Sequence, residues 1–221
     1  MIVANQKPVK EILEMLPENS KLLVVGCDTC VTVCLAGGEK EVKVLCSTLK
    51  MVEKKFKEVN GTSIERQCDK EFLNEVAPLV QEADIIISMA CGAGVQMMSD
   101  YYSGKVVVPA LNTLFMGSNE GAGYWIERCL GCGDCILNIT GGICPRTRCS
   151  KGLLNGPCGG SQDGKCEVDP ENLECGWNLI YNRLSELGKL DIMSEIRPPQ
   201  DWSKSHDGGP RRVIREDVKV E

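Results

Sequence analysis

The sequence of 221 residues has a single histidine, few aromatic residues and no excess of positive charge. The one histidine, His206, lies in a polar stretch near the end of the chain, so a histidine-based triad or general base is nearly excluded. The net charge of −6 and the aromatic content of 5% argue against nucleic acid as a partner. Nucleic-acid binding needs a basic face to neutralise phosphates, and binding to single strands also uses aromatic rings that stack on bases.

The sequence also has no long apolar run. No segment approaches the roughly 20 apolar residues that span a bilayer, and residues 1–16 carry charges within their apolar stretch, unlike a signal peptide. We therefore expect a cytoplasmic protein without membrane contact. In a reducing cytoplasm, the 14 cysteines of the chain indicate metal binding rather than disulfide bonds, which disfavours a secreted disulfide scaffold.

The first half of the chain alternates between apolar segments of strand length and segments with helical spacing. Strands are predicted at 21–26, 41–46, 62–66 (weakly), 84–89 and 105–109. Helices are predicted at 8–16, 32–36, 49–59, 70–82 and 95–102. This alternation predicts a Rossmann-like, doubly wound α/β fold with a parallel sheet.

Composition divides the chain into three regions. The glycine-rich stretch 117–123 predicts a boundary, with the α/β domain at 1–118 and a small Cys-rich, metal-stapled domain at 119–190. The second domain is expected to end in an amphipathic helix closed by Gly188. Residues 191–221 are expected to form an extended tail that is either disordered or laid along a partner.

Cysteines follow the first predicted strand, where a nucleotide-binding protein would carry the glycines of a G-x-G-x-x-G motif. Cys27, Cys30 and Cys34 lie within eight residues there, and Cys91 follows the strand that ends at residue 89. Because functional groups gather at the carboxyl ends of parallel strands, these four are predicted to form one four-thiolate metal site. The alternative is a set of buried or redox-inert thiols, but such close spacing is hard to explain by packing alone.

The strongest motif is a cysteine triplet in the second domain. Cys129, Cys132 and Cys135 reproduce the C-x2-C-x2-C spacing that wraps a [4Fe–4S] cluster in bacterial ferredoxins. A ferredoxin places its fourth cysteine, in a Cys-Pro pair, three residues after the third, whereas here nine positions separate Cys135 from Cys144. The fourth ligand is therefore left open between Cys144 and Cys175.

The other cysteines of this domain have no regular spacing. They are Cys144, Cys149, Cys158, Cys166 and Cys175. None forms the C-x2-C knuckle that a structural zinc site usually has, so zinc is possible here but has no motif to support it. With Cys46 and Cys68 interpreted as buried core residues, 12 of the 14 cysteines remain, enough for three sites of four. Arg146, Arg148 and Lys151 either offset the charge of a thiolate-ligated cluster or are ordinary solvated charges.

Several longer segments are similar to a known family. They are Gly26–Glu39, Cys144–Cys149, Leu153–Gly160 (L-N-G-P-C-G-G within it), Gly164–Val168 and Cys175–Tyr181. Together they resemble the Cys-rich small subunit of methylenetetrahydrofolate reductase in acetogenic bacteria (the MetV family). The resemblance implies iron–sulfur clusters in this subunit, FMN or FAD in a separate TIM-barrel subunit that reduces methylenetetrahydrofolate, and an anaerobe that uses the methyl branch of the acetyl-CoA pathway.

Two functions are consistent with these observations. The leading hypothesis is an electron-transfer subunit with two or three [4Fe–4S] clusters, fed by a ferredoxin or an NADH-linked donor, that reduces the flavin of the catalytic partner. One cluster, most simply in the second domain, is then expected near the partner. The alternative is a zinc-stapled interaction subunit of the same reductase without a redox role. Colour distinguishes them, because iron–sulfur proteins are brown and zinc is colourless.

Overall fold

The structure is a computed structural model that describes residues 1–218. The chain forms two compact units, Met1–Glu127 and a second unit that begins at Arg128. Nine strands are present in the described residues: β1 Ile2–Gln6, β2 Lys21–Cys27, β3 Glu58–Ile64, β4 Ile85–Met89, β5 Val106–Pro109, β6 Leu111–Gly121, β7 Tyr124–Cys129, β8 Lys165–Cys166 and β9 Asp169–Glu174. Eight α-helices accompany them over the same range: α1 Val9–Glu14, α2 Cys30–Val33, α3 Glu39–Met51, α4 Lys70–Leu73, α5 Ala77–Glu82, α6 Gly92–Tyr101, α7 Pro145–Arg148 and α8 Gly176–Glu186.

The first unit contains the predicted parallel sheet. Its four strands lie in the order β3-β2-β4-β5, and each neighbouring pair is parallel. Strand β2 is buried on both faces because it is almost entirely apolar, as is usual for parallel strands covered by helices. The chain runs from β2 outward to β3 and then returns to the other side of β2 at β4. The strand order therefore reverses between β2 and β4.

Helices cover both faces of this sheet. Leu22 and Val24 of β2 pack into one hydrophobic core together with buried residues of α1 and α3. Leu23 and Val25 point the other way, into a second core with Met98 and buried residues of α4 and α5. Alternate side chains of one strand thus divide between two cores, as in a doubly wound α/β fold.

Helix α3 replaces the strand that was predicted at 41–46. Its buried residues have helical spacing: Val42, Leu45, Cys46 and Leu49. Val44, which completes the apparent alternation in the sequence, is 57% exposed. The first turn is capped by the Glu41 carboxylate, which accepts a hydrogen bond of 3.1 Å from the backbone N–H of Gly38. The helix predicted at 49–59 is also wrong after residue 51, because α3 ends at Met51 and β3 begins at Glu58.

A second sheet, which the sequence did not predict, joins distant parts of the first unit. Its order is β1-β6-β7, and β1 pairs antiparallel with β6. The glycine-rich stretch 117–123, predicted as a domain boundary, lies within β6 and the two-residue turn before β7. Gly117 suits the strand because a side chain there would collide with the carbonyl group of Ile126.

The second unit has little regular structure and a small core. Helix α8 was predicted, and it provides most of that core through Trp177, Ile180 and Leu184, together with Cys175 just before it. The helix ends as expected at Gly188, whose φ of +64° is the left-handed conformation that closes a helix without strain in glycine. Much of the rest is held by turns, so this unit has few apolar contacts for its size.

The tail after residue 190 is not a free segment. It forms short 3-10 turns at Leu190–Ser194, Trp202–Lys204, His206–Gly208 and Glu216–Val218. Gln200 and Ser205 are buried within the second unit. The Arg197 guanidinium lies 3.2 Å from the Asp134 carboxylate, inside the loop of the cysteine triplet. The last part of the predicted tail, residues 219–221, lies outside the described residues.

No helix within residues 1–218 is long and apolar enough to cross a membrane.

Candidate metal centres

The cysteine triplet lies on an irregular loop at the start of the second unit. Gly131 and Gly133 have φ angles of +62° and +79°, so the backbone turns in the left-handed conformation between Cys129 and Cys132 and again between Cys132 and Cys135. The backbone N–H of Gly131 lies 3.3 Å from the Cys129 sulfur, so it donates a hydrogen bond to that sulfur. The Cys132 sulfur lies 3.7 Å from the Asp134 carbonyl oxygen.

Cys144 lies beside the beginning of this loop. It is the residue that precedes α7, and the hydroxyl of Thr147 in that helix is 3.4 Å from the Cys144 carbonyl oxygen. The same hydroxyl is 3.4 Å from the carbonyl oxygen of Arg128, which directly precedes Cys129. Of the two open choices for a fourth ligand, Cys144 therefore lies next to the triplet. We refer to Cys129, Cys132, Cys135 and Cys144 as the triplet group.

Four other cysteines line a single small cavity in the second unit. They are Cys149, Cys158, Cys166 and Cys175, here named the cavity group. The cavity has a volume of about 20 Å³, and Trp177 also lines it, its indole N–H donating a 3.0 Å hydrogen bond to the Leu153 carbonyl. These cysteines have no common spacing in the sequence, so only the fold brings them together. Cys175, the other choice for the triplet, belongs to this set.

Charged and polar groups surround the cavity group. Lys151 lines the cavity and forms an ion pair with Glu167, whose pKa is lowered chiefly by the hydrogen bond from Lys151. The Cys158 thiol donates to the same carboxylate at 3.3 Å. The pKa of the Cys166 thiol is lowered, first by the backbone N–H of Val168 and then by the Ser150 hydroxyl. The surroundings of Cys166 thus favour its thiolate form, which is the form that binds metals.

The other two cations predicted near these cysteines have partners of their own. The guanidinium of Arg146 lies 4.4 Å from the centre of the Trp202 ring, a cation–π contact. Arg148 lies 3.7 Å from the Glu174 carboxylate. Of the three, Lys151 is the one that lines the cavity.

Comparison with known families bears directly on this unit. Residues 108–203 match the family described as methylene-tetrahydrofolate reductase C terminal. Over these residues the chain is similar to that family. The match contains both the triplet group and the cavity group, and it confirms over this part of the chain the resemblance to methylenetetrahydrofolate reductase drawn from the sequence. No curated protein and no solved structure matches the chain.

The cysteines of the second unit suit a thiolate-ligated centre by their chemistry. Within residues 1–218, no three Cys, His, Asp or Glu side chains are close enough together to hold a metal ion as they stand. The donors are cysteines in two sets of four, and cysteine thiolates are the ligands of iron–sulfur clusters and of many zinc sites.

The reductase match begins at residue 108, so the cysteines of the first unit lie before it. Cys27 ends β2, Cys30 begins α2, and Cys91 directly precedes α6, so all three lie at the carboxyl edge of the parallel sheet. Cys34 faces elsewhere: its sulfur is 3.4 Å from the backbone nitrogen of Ala4 in β1. The Cys34 sulfur therefore contacts β1, while burial, and also the nearby Cys30 thiol, raise the pKa of the Cys34 thiol.

Cys46 and Cys68 were both interpreted as core residues, and the structure separates them. Cys46 is buried in α3 as predicted, and burial raises the pKa of its thiol. Cys68 is exposed, so its interpretation as a core residue is wrong. It lies four residues after the end of β3, at the same sheet edge as Cys27. That position after a parallel strand was the signal in the sequence that could have identified it.

Proposed function

We propose that this chain is the iron–sulfur subunit of a methylenetetrahydrofolate reductase complex. In this proposal the triplet group and the cavity group each hold a [4Fe–4S] cluster, and electrons pass from them to an FMN or FAD in a separate catalytic subunit. That partner reduces methylenetetrahydrofolate to methyltetrahydrofolate. The electrons come from a ferredoxin or an NADH-linked donor.

One observation carries the proposal most strongly. Four cysteines without a regular spacing line one cavity in a region that is similar to the reductase C-terminal family. Packing in a hydrophobic core does not explain the set, because only Cys175 of the four is buried, whereas Cys149 and Cys166 are partly exposed and Cys158 is exposed. A shared ligand explains why all four are there.

The protein's own backbone suits this role. Backbone N–H groups point at cysteine sulfurs in both sets, from Gly131 to Cys129 at 3.3 Å and from Gly160 to Cys158 at 3.5 Å. Such hydrogen bonds stabilise thiolates and raise the reduction potential of a cluster held by them. When bound, a [4Fe–4S] cluster supplies one-electron transfer, which no side chain here provides.

The test compares the complex purified without oxygen with two variants and one control. Cys158→Ala removes a ligand of the cavity group, and Cys132→Ala removes a ligand of the triplet group. Each is expected to lose about four iron and four sulfide per chain, as one [4Fe–4S] cluster requires, and to slow reduction of the partner flavin by the low-potential donor. Cys46→Ala, in the core of the first unit, is expected to keep the full iron and sulfide content and the normal rate of flavin reduction.

The zinc-stapled alternative gives a different result in the same experiment. A colourless chain that contains zinc and no sulfide would refute the electron-transfer role and leave a structural subunit. Unchanged iron in both ligand variants would refute the assignment of the cysteines.

A further inference from the structure

The segment that carries Cys68 is fixed to two strands of the parallel sheet by a buried glutamine. The side-chain nitrogen of Gln67 donates to the carbonyl oxygens of Val25 and Gly26, at 2.8 and 3.0 Å, near the end of β2. Its side-chain oxygen accepts a 2.6 Å hydrogen bond from the Ser88 hydroxyl in β4. Gln67 and Ser88 are both fully buried. Cys68 is therefore held beside the carboxyl ends of β2 and β4.

The strand register brings three more cysteines to the same place. Cys27 pairs with Ile64 of β3, and its neighbour Gly26 pairs with Met89 of β4, so the three strands end side by side. Adjacent strands are about 4.8 Å apart. Cys91 follows Met89 by two residues, while Cys30 lies one turn beyond Cys27 at the start of α2.

This edge is also the point at which the strand order of the sheet reverses. Helix α3, which follows β2, packs on one face of the sheet, whereas α6, which follows β4, packs on the other. In open α/β sheets, connections that leave on opposite faces diverge at such a point, and ligands bind between them. In this protein the segments at this point carry cysteines rather than the glycines of a nucleotide site.

We propose that Cys27, Cys30, Cys68 and Cys91 hold a third [4Fe–4S] cluster at the switch point of the parallel sheet. These residues are named the edge group. The site lies in the first unit, before the region matched by the reductase family. The choice of an iron–sulfur cluster rests on the proposed function, whereas the choice of the four cysteines rests on the fold of the first unit.

Cys34 is excluded from this set by its surroundings. Its thiol is buried, accepts from the Ala4 N–H at 3.4 Å, and lies 3.5 Å from the carbonyl oxygens of Ala4 and Val31. It thus joins α2 to β1 on the side of the core. Cys34 and Cys68 therefore form a matched pair for a test. Cys34 is close to Cys27 in the sequence but is excluded from the site, whereas Cys68 is distant in the sequence but is included.

The experiment measures iron, sulfide and zinc in the full chain purified without oxygen, as the unmodified protein and as Cys68→Ala, Cys91→Ala and Cys34→Ala. The unmodified chain is expected to contain about 12 iron, and the Cys68 and Cys91 variants about 8, with the sulfide count falling in step. The spectrum of the reduced protein by electron paramagnetic resonance should lose one component in both. Cys34→Ala is expected to keep all 12 iron, and far-UV circular dichroism checks that each variant is folded.

The outcomes separate this inference from the proposed function. About 8 iron in the unmodified chain and no loss in Cys68→Ala would overturn the third site alone. A loss of four iron in Cys34→Ala with none in Cys68→Ala would overturn the ligand set, and zinc that disappears in Cys68→Ala would overturn the cluster assignment. A chain without iron and sulfide would overturn the proposed function as well.

Discussion

The ion pair between Arg197 and Asp134 connects the tail to the cysteine triplet, so it tests whether the tail stabilises the metal-binding loop. The two side chains are 15% and 30% exposed, and the nearest atoms are 3.2 Å apart. One guanidinium nitrogen of Arg197 is buried without a hydrogen-bond partner in the described part of the chain. Asp134 lies between Cys132 and Cys135, so a loss of this contact acts directly on the loop.

The expected magnitude follows from the burial of the pair. Breaking a fully buried ion pair costs about 3–5 kcal/mol, and an exposed pair is worth about 0.2–1 kcal/mol. For this partly buried pair we expect Arg197→Ala to destabilise the folded loop 129–135 by about 1–3 kcal/mol. The fraction of molecules in which this loop is open then increases roughly 5- to 150-fold. The backbone of Arg197 keeps its two hydrogen bonds with the Asn155 side chain, at 3.0 and 3.2 Å, so the change isolates the guanidinium.

Two measurements check this prediction on the full chain with its metal bound. Amide hydrogen exchange in peptides that cover 129–135 should become faster by that factor, and iron should pass to a chelator sooner. Arg212→Ala is the matched control, since it removes the same charge from an exposed position of the same tail. If the exchange rates of peptides 129–135 are equal in Arg197→Ala and Arg212→Ala, the tail does not hold this loop closed.

Three further predictions concern the cores and the buried thiol. Gly61→Ala should destabilise the first unit by about 1–3 kcal/mol in a urea titration. The added Cβ would lie 2.6 Å from the Cys46 sulfur and 2.8 Å from a Val42 methyl group. An unchanged unfolding midpoint would contradict the packing of α3 on β3. Ile180→Ala should destabilise the second unit by about 2–5 kcal/mol, since Ile180 is fully buried in its small core, and unaltered thermal unfolding would contradict that role. Burial raises the pKa of the Cys46 thiol, so little thiolate forms at pH 8. Iodoacetamide should therefore modify Cys46 far more slowly in the folded metal-free chain than in urea. Equal rates in the two conditions would show that this thiol is accessible.

The parallel sheet could be predicted because its strands are short, continuous apolar runs. Strands β2, β4 and β5 lie close to their predicted positions. The segment 41–46 was misassigned because two polar and two apolar residues alternate at its start, which imitates a strand. The burial of Val42, Leu45 and Leu49 shows the helical period, which becomes visible only over a longer window.

The second sheet could not be predicted because it depends on distant pairing. Strand β1 pairs with β6, so Ile2 lies opposite Met116. Nothing local in either segment specifies such a partner, and the glycine, asparagine and serine residues of β6 are typical of a loop. The sequence of that stretch was therefore interpreted as a domain boundary.

The cysteines show the same division between local and distant information. The triplet at 129–135 is a local motif and can be recognised by its spacing. The cavity group has no spacing rule, and its members meet only after the second unit has folded. Cys34 and Cys68 could not be distinguished from the sequence, since helical spacing favours Cys34 while the hydrogen bonds of Gln67 place Cys68 at the sheet edge.

The most direct test of the account is the iron, sulfide and zinc content of the chain purified without oxygen, together with its absorption before and after reduction. We expect a brown protein with about 8 iron and 8 sulfide from the triplet and cavity groups, and about 12 of each if the edge group is also filled, with absorption near ~400 nm that bleaches on reduction. Zinc without sulfide in a colourless chain would contradict the central claim that this subunit carries electrons.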